Sequence, residues 1–207
     1  FLNEQSKFYF KRKISKVVFM GMGEPLLNFK NVIKAIKKMK LKSGLNFSAK
    51  KITISTSGIP KVIKHMAHED LKCNLAVSLH SAIQKTREKI MPFSEKFPLE
   101  DLMESLKYWH RVTKKKILYE YIIFEGINDN IEHVKELVKI CKIIPCKVNF
   151  IEYNPTGDTA FRQCKVEKLK LYQKYLTSEG IVNTYRVSRG RDINAACGQL
   201  INLNKVS

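Results

Sequence analysis

The sequence predicts an α/β fold in which parallel strands alternate with helices. Three observations predict it: short β-branched runs recur along the chain, amphipathic segments stand between them, and turn residues separate the two. Strands that alternate with helices are joined by crossover connections, which makes neighbouring strands parallel. Functional residues of such sheets gather at the carboxyl ends of the strands, so a site is expected there.

Six segments have the composition of strands and end at turn or polar residues. The first stops at Gly21, and the fourth runs into a turn over residues 126–129. The six predicted strands are residues 16–20, 51–55, 74–79, 117–124, 147–151 and 181–187.

Five further segments are predicted to be helices, from apolar residues at helical spacing or from the residues that begin and end helices. Residues 29–40 show the pattern clearly, with an apolar stripe on one face and lysines on the other. Proline favours the first helical turn, Asn is a good N-cap and glycine ends helices. The predicted helices are residues 29–40, a segment after Pro60, a segment from Pro98, a segment capped by Asn130, and residues 166–178 before Gly180.

The composition indicates one globular unit. The chain has 207 residues, of which 44% are hydrophobic, and no linker divides it, so we expect a single domain over residues 1–207. No apolar run approaches the ~20 residues that span a bilayer, so we expect no membrane partner. The chain begins with Phe1 rather than Met and has no secretory signal, so we expect it to begin within a longer protein.

The net charge of +19 comes from an excess of lysine. Such a charge attracts a polyanion such as RNA, because neutralised phosphates release counterions. A lysine-rich solvated surface has the same composition, and no signature of an RNA-binding module accompanies it. Charge alone therefore leaves both interpretations open.

The five cysteines stand at positions 73, 141, 146, 164 and 197. An odd number without an export signal indicates free thiols in a reducing cytoplasm. Four residues separate Cys141 from Cys146, which is not the spacing of a zinc or iron–sulfur motif, so we expect both to be structural. We likewise expect no metal site from His65, His68 and Cys73.

Polar residues end four of the predicted strands. Glu24 offers acceptors for an ammonium group, although a helix-capping acid has the same sequence context. The hydroxyl, imidazole and amide groups at the other ends suit a carboxylate, ribose hydroxyls or a base edge, and they also cap loops. These candidate site residues are Gly23 with Glu24, Ser55, Ser78 with His80, and Asn154.

Cys197 lies between Ala196 and Gly198, so no bulky neighbour in the sequence shields its sulfur. The nearby Arg189 and Arg191 favour a thiolate, which is the nucleophilic form. A small buried hydrophobe is the alternative interpretation.

Taken in order, five motifs resemble the radical S-adenosylmethionine dual-specificity RNA methyltransferases that modify C2 of adenine, the RlmN family. The resemblance extends from about residue 17 to residue 200. The motifs are Gly-Met-Gly-Glu-Pro-Leu at 21–26, Thr-Ile-Ser-Thr-Ser-Gly at 53–58, Ser-Leu-His at 78–80, Asn-Pro at 154–155 and Ala-Ala-Cys-Gly-Gln-Leu at 195–200.

The resemblance implies a partial (β/α) TIM-like barrel of the radical S-adenosylmethionine type, truncated at its N-terminus. It implies that Gly23 and Glu24 contact the cofactor amino group, and that Cys197 carries a methyl group to RNA. The other implied cofactor contacts are Ser55, Ser78, Leu79, His80 and Asn154.

The resemblance also implies the chemistry and the partners. One S-adenosylmethionine methylates the cysteine, and a second is cleaved by a [4Fe-4S] cluster to a radical that activates this methyl group. The partners would be 23S rRNA, tRNA and an electron donor for the cluster. The location would be cytoplasmic.

This sequence departs from the family pattern at the cluster. The family holds the cluster with a Cys-x3-Cys-x2-Cys motif, and that spacing does not occur in these 207 residues. We therefore expect the cluster ligands to lie upstream, together with a resolving cysteine and a general base. Two alternatives stay open: a sister enzyme that methylates C8 of adenine, and a non-catalytic RNA-binding remnant.

Overall fold

In the computed structural model, six strands form one parallel sheet in the order β1-β2-β3-β4-β5-β6. The structure describes residues 1–20, 23–42, 45–155, 160–188, 190, 192, 193, 196 and 199. The strands are β1 Val17–Phe19, β2 Ile52–Thr56, β3 Asn74–Ser78, β4 Ile117–Tyr121, β5 Cys146–Ile151 and β6 Asn183–Arg186. The predicted α/β class and all six predicted strands are confirmed, with ends that differ by up to three residues.

In the described part of the chain there are seven α-helices: the first precedes β1 and has no buried residue, and the other six lie in the connections between successive strands. The seven helices are α1 Leu2–Phe10, α2 Phe29–Lys40, α3 Pro60–Met66, α4 Gln84–Ile90, α5 Leu99–Thr113, α6 Ile131–Ile143 and α7 Val166–Ser178. The five predicted helices are present, and Asn130 caps α6 by accepting a hydrogen bond from the backbone N–H of His133 at 3.2 Å. Two helices, α1 and α4, were not predicted. No helix among the described residues is both long and apolar enough to cross a membrane.

The sheet is curled into a partial barrel. If it were flat, β1 and β6 would stand about 24 Å apart, at about 4.8 Å per strand spacing. Instead, Nη1 of Arg186 in β6 lies 3.6 Å from the sulfur of Met20, the residue that follows β1. The side chain of one edge strand thus reaches the end of the other, as expected of the partial barrel.

Side chains alternate between the two faces of the curled sheet. Tyr119 and Tyr121 point outward and are fully buried in the hydrophobic core beneath the helices. Glu120 lies between them and therefore points to the inner face. Ser78 pairs with Glu120 in register, and Ser55 pairs with Ala76, two residues before Ser78. Ser55, Ser78 and Glu120 therefore share the inner face, which is polar.

The predicted fourth strand was too long. Residues 117–124 were expected, but β4 ends at Tyr121. Beyond Tyr121 the backbone no longer pairs with the neighbouring parallel strands. The Phe124 N–H instead donates to Oδ1 of Asn128 at 2.6 Å, and Phe124 forms an isolated antiparallel bridge with Gln163. The side chain of Asn128 thus ends the strand.

Candidate functional site

A cavity of about 580 Å³ opens at the carboxyl ends of the strands. A smaller cavity of about 280 Å³ lies beside Cys73 and Lys115, at the amino ends. Parallel sheets bind ligands at their carboxyl ends, so the larger cavity is the candidate site. It is lined by six of the predicted site residues, namely Gly23, Glu24, Ser55, Ser78, His80 and Asn154.

Among the described residues, one predicted site residue, Leu79, does not line the cavity. Leu79 is fully buried in the hydrophobic core, and its backbone N–H donates to the carbonyl of Glu120 at 3.0 Å. Its predicted cofactor contact stays a prediction. Cys197 lies outside the described residues.

The cavity is acidic although the protein is strongly basic. Three carboxylates line it, from Glu24, Glu120 and Glu152, and the described lining residues include no lysine or arginine. The net charge of the whole chain is +19. A cavity with this distribution of charge favours a cationic ligand and disfavours an anion.

Glu24 joins the loop after β1 to the end of β2. Its Oε1 accepts hydrogen bonds from the backbone N–H of Leu26 at 2.9 Å and from Oγ1 of Thr56 at 2.7 Å. Its Oε2 accepts from the backbone N–H and the Oγ of Ser57, at 2.8 and 2.7 Å. Two acceptor positions on each oxygen are therefore occupied. The role of Glu24 as an ammonium ligand stays a prediction, and an ammonium group would have to share or replace these donors.

Ser55 and Glu120 form a buried pair on the inner face. The Ser55 hydroxyl donates to Oε2 of Glu120 at 2.6 Å, and only 3% of Glu120 is exposed. Burial raises the pKa of the Glu120 carboxyl, while the Ser55 hydrogen bond and the positive charge of Arg186 act in the opposite direction. Glu120 was not predicted as a site residue. The available signal was one carboxylate within the otherwise apolar run of residues 117–124.

His80 is held in one orientation and in its neutral form. Its backbone is left-handed, with φ of 53°, and its Nδ1 accepts the backbone N–H of Ile122 at 3.2 Å. Burial and the nearby charge of Arg87 lower the pKa of His80 to about 4. A neutral ring whose Nδ1 accepts must carry its proton on Nε2, so His80 offers a hydrogen-bond donor at neutral pH.

Arg87 is fully buried behind the cavity wall. Its Nη2 donates to the carbonyl of Ser57 at 2.6 Å and lies 3.5 Å from the carbonyl of Ser78. In the described part of the chain, no acceptor reaches Nε or Nη1 of Arg87. Arg87 therefore ties the end of β2 to the end of β3. It was not predicted as a site residue.

Asn128 joins the ends of β3 and β4. Its Nδ2 donates to the carbonyls of His80 and Ile122, at 2.6 and 2.9 Å, and its Oδ1 accepts from Phe124. The side chain is fully buried. Asn128 therefore fixes the backbone that carries His80, which sequence analysis did not anticipate.

Asn154 lies at the end of β5, beside the end of β6. Its Nδ2 donates to Oγ of Ser188 at 2.8 Å, and the backbone N–H of Ser188 donates to Oε2 of Glu152 at 2.9 Å. The polar residues that follow β5 are thus anchored to the chain that follows β6.

No three of the described cysteines converge, although Sγ of Cys146 donates to the carbonyl of Cys141 at 3.5 Å. Cys73 precedes β3, Cys141 lies in α6, Cys146 begins β5 and Cys164 precedes α7. Over the described ranges, no three His, Cys, Asp or Glu side chains form a group that could hold a metal ion.

Comparison with known proteins identifies relatives along nearly the whole chain. The probable dual-specificity RNA methyltransferase RlmN of Flavobacterium psychrophilum is 55% identical over 201 residues, which are 97% of this chain and 58% of that protein. The protein with the same description from Flavobacterium johnsoniae is 56% identical over the same shares of the two chains. The chain therefore spans less than two thirds of the length of these curated relatives.

A solved structure gives a similar result. The crystal structure of a radical SAM methyltransferase from Sphaerobacter thermophilus superposes with a TM-score of 0.91 at 33% identity, over 95% of this chain and 57% of that one. A family model for the radical SAM superfamily matches residues 2–139. Since this match covers more than half of the 207 residues, the chain belongs to the radical SAM superfamily.

Proposed function

We propose that the full-length protein transfers a methyl group from S-adenosylmethionine to C2 of adenine in 23S rRNA and tRNA, with Cys197 as the methyl carrier. The observation that carries the cofactor assignment is the acidic cavity within a protein of net charge +19. S-Adenosylmethionine bears a sulfonium and an ammonium group against one carboxylate, so it is a net cation. The RlmN relatives are described as probable RNA methyltransferases, which supports RNA as the substrate.

The two cofactors of the superfamily fit this chain differently. The cavity suits S-adenosylmethionine, since its carboxylates favour a cation and its hydroxyl and imidazole groups offer further hydrogen bonds. The described residues do not fit a [4Fe-4S] cluster, because no three candidate ligands converge.

The residues of this chain bind and orient the cofactor. The cofactor supplies the methyl group and the radical chemistry when it is bound. Glu24 holds the end of β2 against the loop after β1, while Asn128 and the N–H of Ile122 aim the imidazole of His80. Neutral His80 donates from Nε2 to an acceptor on the cofactor, and this donor persists across the physiological pH range because its pKa is about 4.

The direct test is product analysis. The full-length gene is expressed in a bacterial strain that lacks its own adenine-C2 methyltransferase, and 23S rRNA and tRNA are digested to nucleosides. Mass spectrometry against standards should detect 2-methyladenosine in both RNAs. Detection of 8-methyladenosine would assign the sister activity instead, and the absence of any methylated adenine would favour a non-catalytic RNA-binding protein.

Glu24→Gln should weaken the binding of S-adenosylmethionine to the full-length protein by roughly ten-fold or more. The amide has no negative charge. Its NH₂ group would also face the donors of Ser57 or Thr56, whose hydrogen bonds the carboxylate now accepts. Isothermal titration calorimetry measures the change, and Glu125→Gln, at an exposed position, is the matched control. An unchanged affinity would leave Glu24 with structural roles alone, as the cap of the short 3₁₀ helix Pro25–Asn28 and as the link to the end of β2.

A second prediction concerns the polypeptide of residues 1–207. Its reconstitution with iron and sulfide should give no stable [4Fe-4S] absorbance, because the three-cysteine motif does not occur in it. The full-length protein, treated in parallel, should develop that absorbance. A redox-active cluster in the 207-residue polypeptide would show that its own scattered cysteines suffice.

A further inference from the structure

The positive charge of the protein is concentrated in one stretch of the chain. Residues 25–68 contain ten lysines and no aspartate or glutamate, so they supply more than half of the net charge of +19. This stretch includes α2 and α3, which alone among the seven described α-helices have no acidic residue. By contrast, α5 carries three acidic residues and α6 carries two. A surface that only keeps a protein soluble mixes both signs in this way, which indicates a different role for the lysines of α2 and α3.

Three lysines of α2 form a stripe on its exposed side. The apolar residues of α2 are buried in the core, whereas Lys30, Lys34 and Lys38 are exposed. They stand four residues apart, so their Cα atoms span about 12 Å along the helix axis. Like charges at this spacing destabilise a helix, and Lys30 also lies in the first turn, where the helix dipole disfavours a cation. An anionic ligand bound along the stripe would remove this repulsion.

The exposed side of α3 extends the stripe. The ring of His65 in α3 contacts that of Phe29 at the start of α2, with ring centroids 5.7 Å apart, so the two helices are neighbours. Lys61 and Lys64 are the exposed lysines of α3. We call Lys30, Lys34, Lys38, Lys61 and Lys64 the α2–α3 lysine surface.

Neighbouring acids do not neutralise the α2–α3 lysine surface. In the described part of the chain, none of its five lysines forms an ion pair. Two carboxylates nearby are engaged by other lysines: Glu69 by Lys37 at 3.3 Å, and Glu104 by Lys107 at 2.9 Å. The charges of the surface are therefore available to a ligand.

The α2–α3 lysine surface begins beside the cavity. Leu27 lines the cavity and stands two residues before α2, while Ser57 also lines it and stands three residues before α3. Each helix then returns along the outside of the sheet, because it connects two parallel strands. An RNA strand with one nucleobase in the cavity could therefore continue along these helices.

We propose that the α2–α3 lysine surface binds the phosphodiester backbone of the substrate RNA, next to the nucleotide whose base enters the cavity. Ammonium groups neutralise phosphates and release counterions, which drives binding. The one Phe, Tyr or Trp of these two helices is Phe29, which is buried, so the surface positions the RNA and does not stack on its bases. The proposal rests on the proposed function, which makes RNA the substrate.

The test is the salt dependence of RNA binding by the full-length protein. An unmodified tRNA transcript is the probe, and its Kd is measured by fluorescence anisotropy over a series of KCl concentrations. In the combined variant Lys30→Gln, Lys34→Gln and Lys38→Gln, the slope of log Kd against log [KCl] should fall by roughly 2 to 3, because each phosphate contact contributes about 0.7–0.9. Arginine at the same three positions keeps the charge and should keep the slope. Both variants should bind S-adenosylhomocysteine as the wild type does.

A matched control removes the same charge elsewhere. Lys135 in α6 and Lys170 and Lys174 in α7 are exposed and belong to the connections on either side of β5. Glutamine at these three positions together should lower the slope by less than about 1. An equal fall in the control and in the α2 variant would show that the whole basic exterior binds RNA without preference, and would overturn the proposal.

A second pair of substitutions makes the test independent of α2. Lys61→Gln combined with Lys64→Gln should lower the slope by roughly 1.5, so the proposal stays testable if the α2 variant does not fold. If the wild type methylates tRNA but neither variant changes the slope, only this inference is overturned. If the wild type neither binds nor methylates the RNA, the proposed function fails and the inference fails with it. Loss of binding to phosphatidylserine vesicles, with the RNA slope unchanged, would assign the surface to a membrane instead.

Discussion

Replacement of Cys197 by alanine in the full-length protein should abolish adenine methylation in 23S rRNA and tRNA. In the proposed mechanism the methyl group is attached to this sulfur before transfer, and alanine offers no atom that can take its place. Mass spectrometry of digested RNA should detect no methyladenosine, and mass spectrometry of the digested protein should detect no S-methylcysteine. Methylation at the wild-type level would refute the assignment of Cys197 as the carrier.

Cys141 and Cys146 provide the matched comparison. Cys141 is buried within α6 and Cys146 begins β5, at the end of the sheet opposite the cavity. Alanine at either position should retain the methylated nucleoside and alter mainly the thermal stability, because the thiols pack in the protein rather than face the cavity. Loss of methylation without loss of stability in these variants would contradict their structural role.

Asn128→Ala should destabilise the fold by about 3 kcal/mol or more. The change removes a fully buried side chain that donates to two carbonyls and accepts from one N–H, and it leaves these three backbone groups without that partner. Chemical denaturation followed by circular dichroism measures the difference. A loss below 1 kcal/mol would show that water or a rearranged loop satisfies these groups.

Two neighbouring changes sharpen this test. Asn128→Asp keeps the acceptor for the Phe124 N–H but places an oxygen against the carbonyls of His80 and Ile122, so it should also destabilise strongly. Asn130→Ala, at the exposed cap of α6, should cost only about 1 kcal/mol. The contrast separates the buried network from an ordinary helix cap.

Most helices and strands could be predicted from the sequence because they have an apolar face. Residues 29–40 were predicted from their periodicity and residues 166–178 from the glycine that follows them, and both segments match the bounds of α2 and α7. The helices that were missed lack this signal: α1 has no buried residue, and Arg87 is the only buried residue of α4. Neither helix therefore has a buried apolar face from which periodicity could predict it.

The candidate site was predictable only in part, because some of its residues depend on contacts between strands that are distant in the sequence. Glu24, Ser55 and Asn154 could be found because they end strands in the sequence. Glu120 lies within a strand, and its importance depends on which face it occupies and on its pairing with Ser55, 65 residues away. Asn128 and Arg87 donate hydrogen bonds to backbone carbonyls that are distant in the sequence. Contacts of this kind leave no pattern in the sequence of side chains. Such roles become visible only when the strand ends are placed side by side.

The contrast between the acidic cavity and the basic protein has a consequence for how a nucleotide could enter. Glu24, Glu120 and Glu152 would repel a phosphate but not an uncharged base. A polynucleotide drawn to the lysine-rich exterior would therefore keep its backbone at the rim and pass only a nucleobase inward, turned out of its stack. The distribution of charge would thus keep the phosphate of a nucleotide outside the cavity while its base enters.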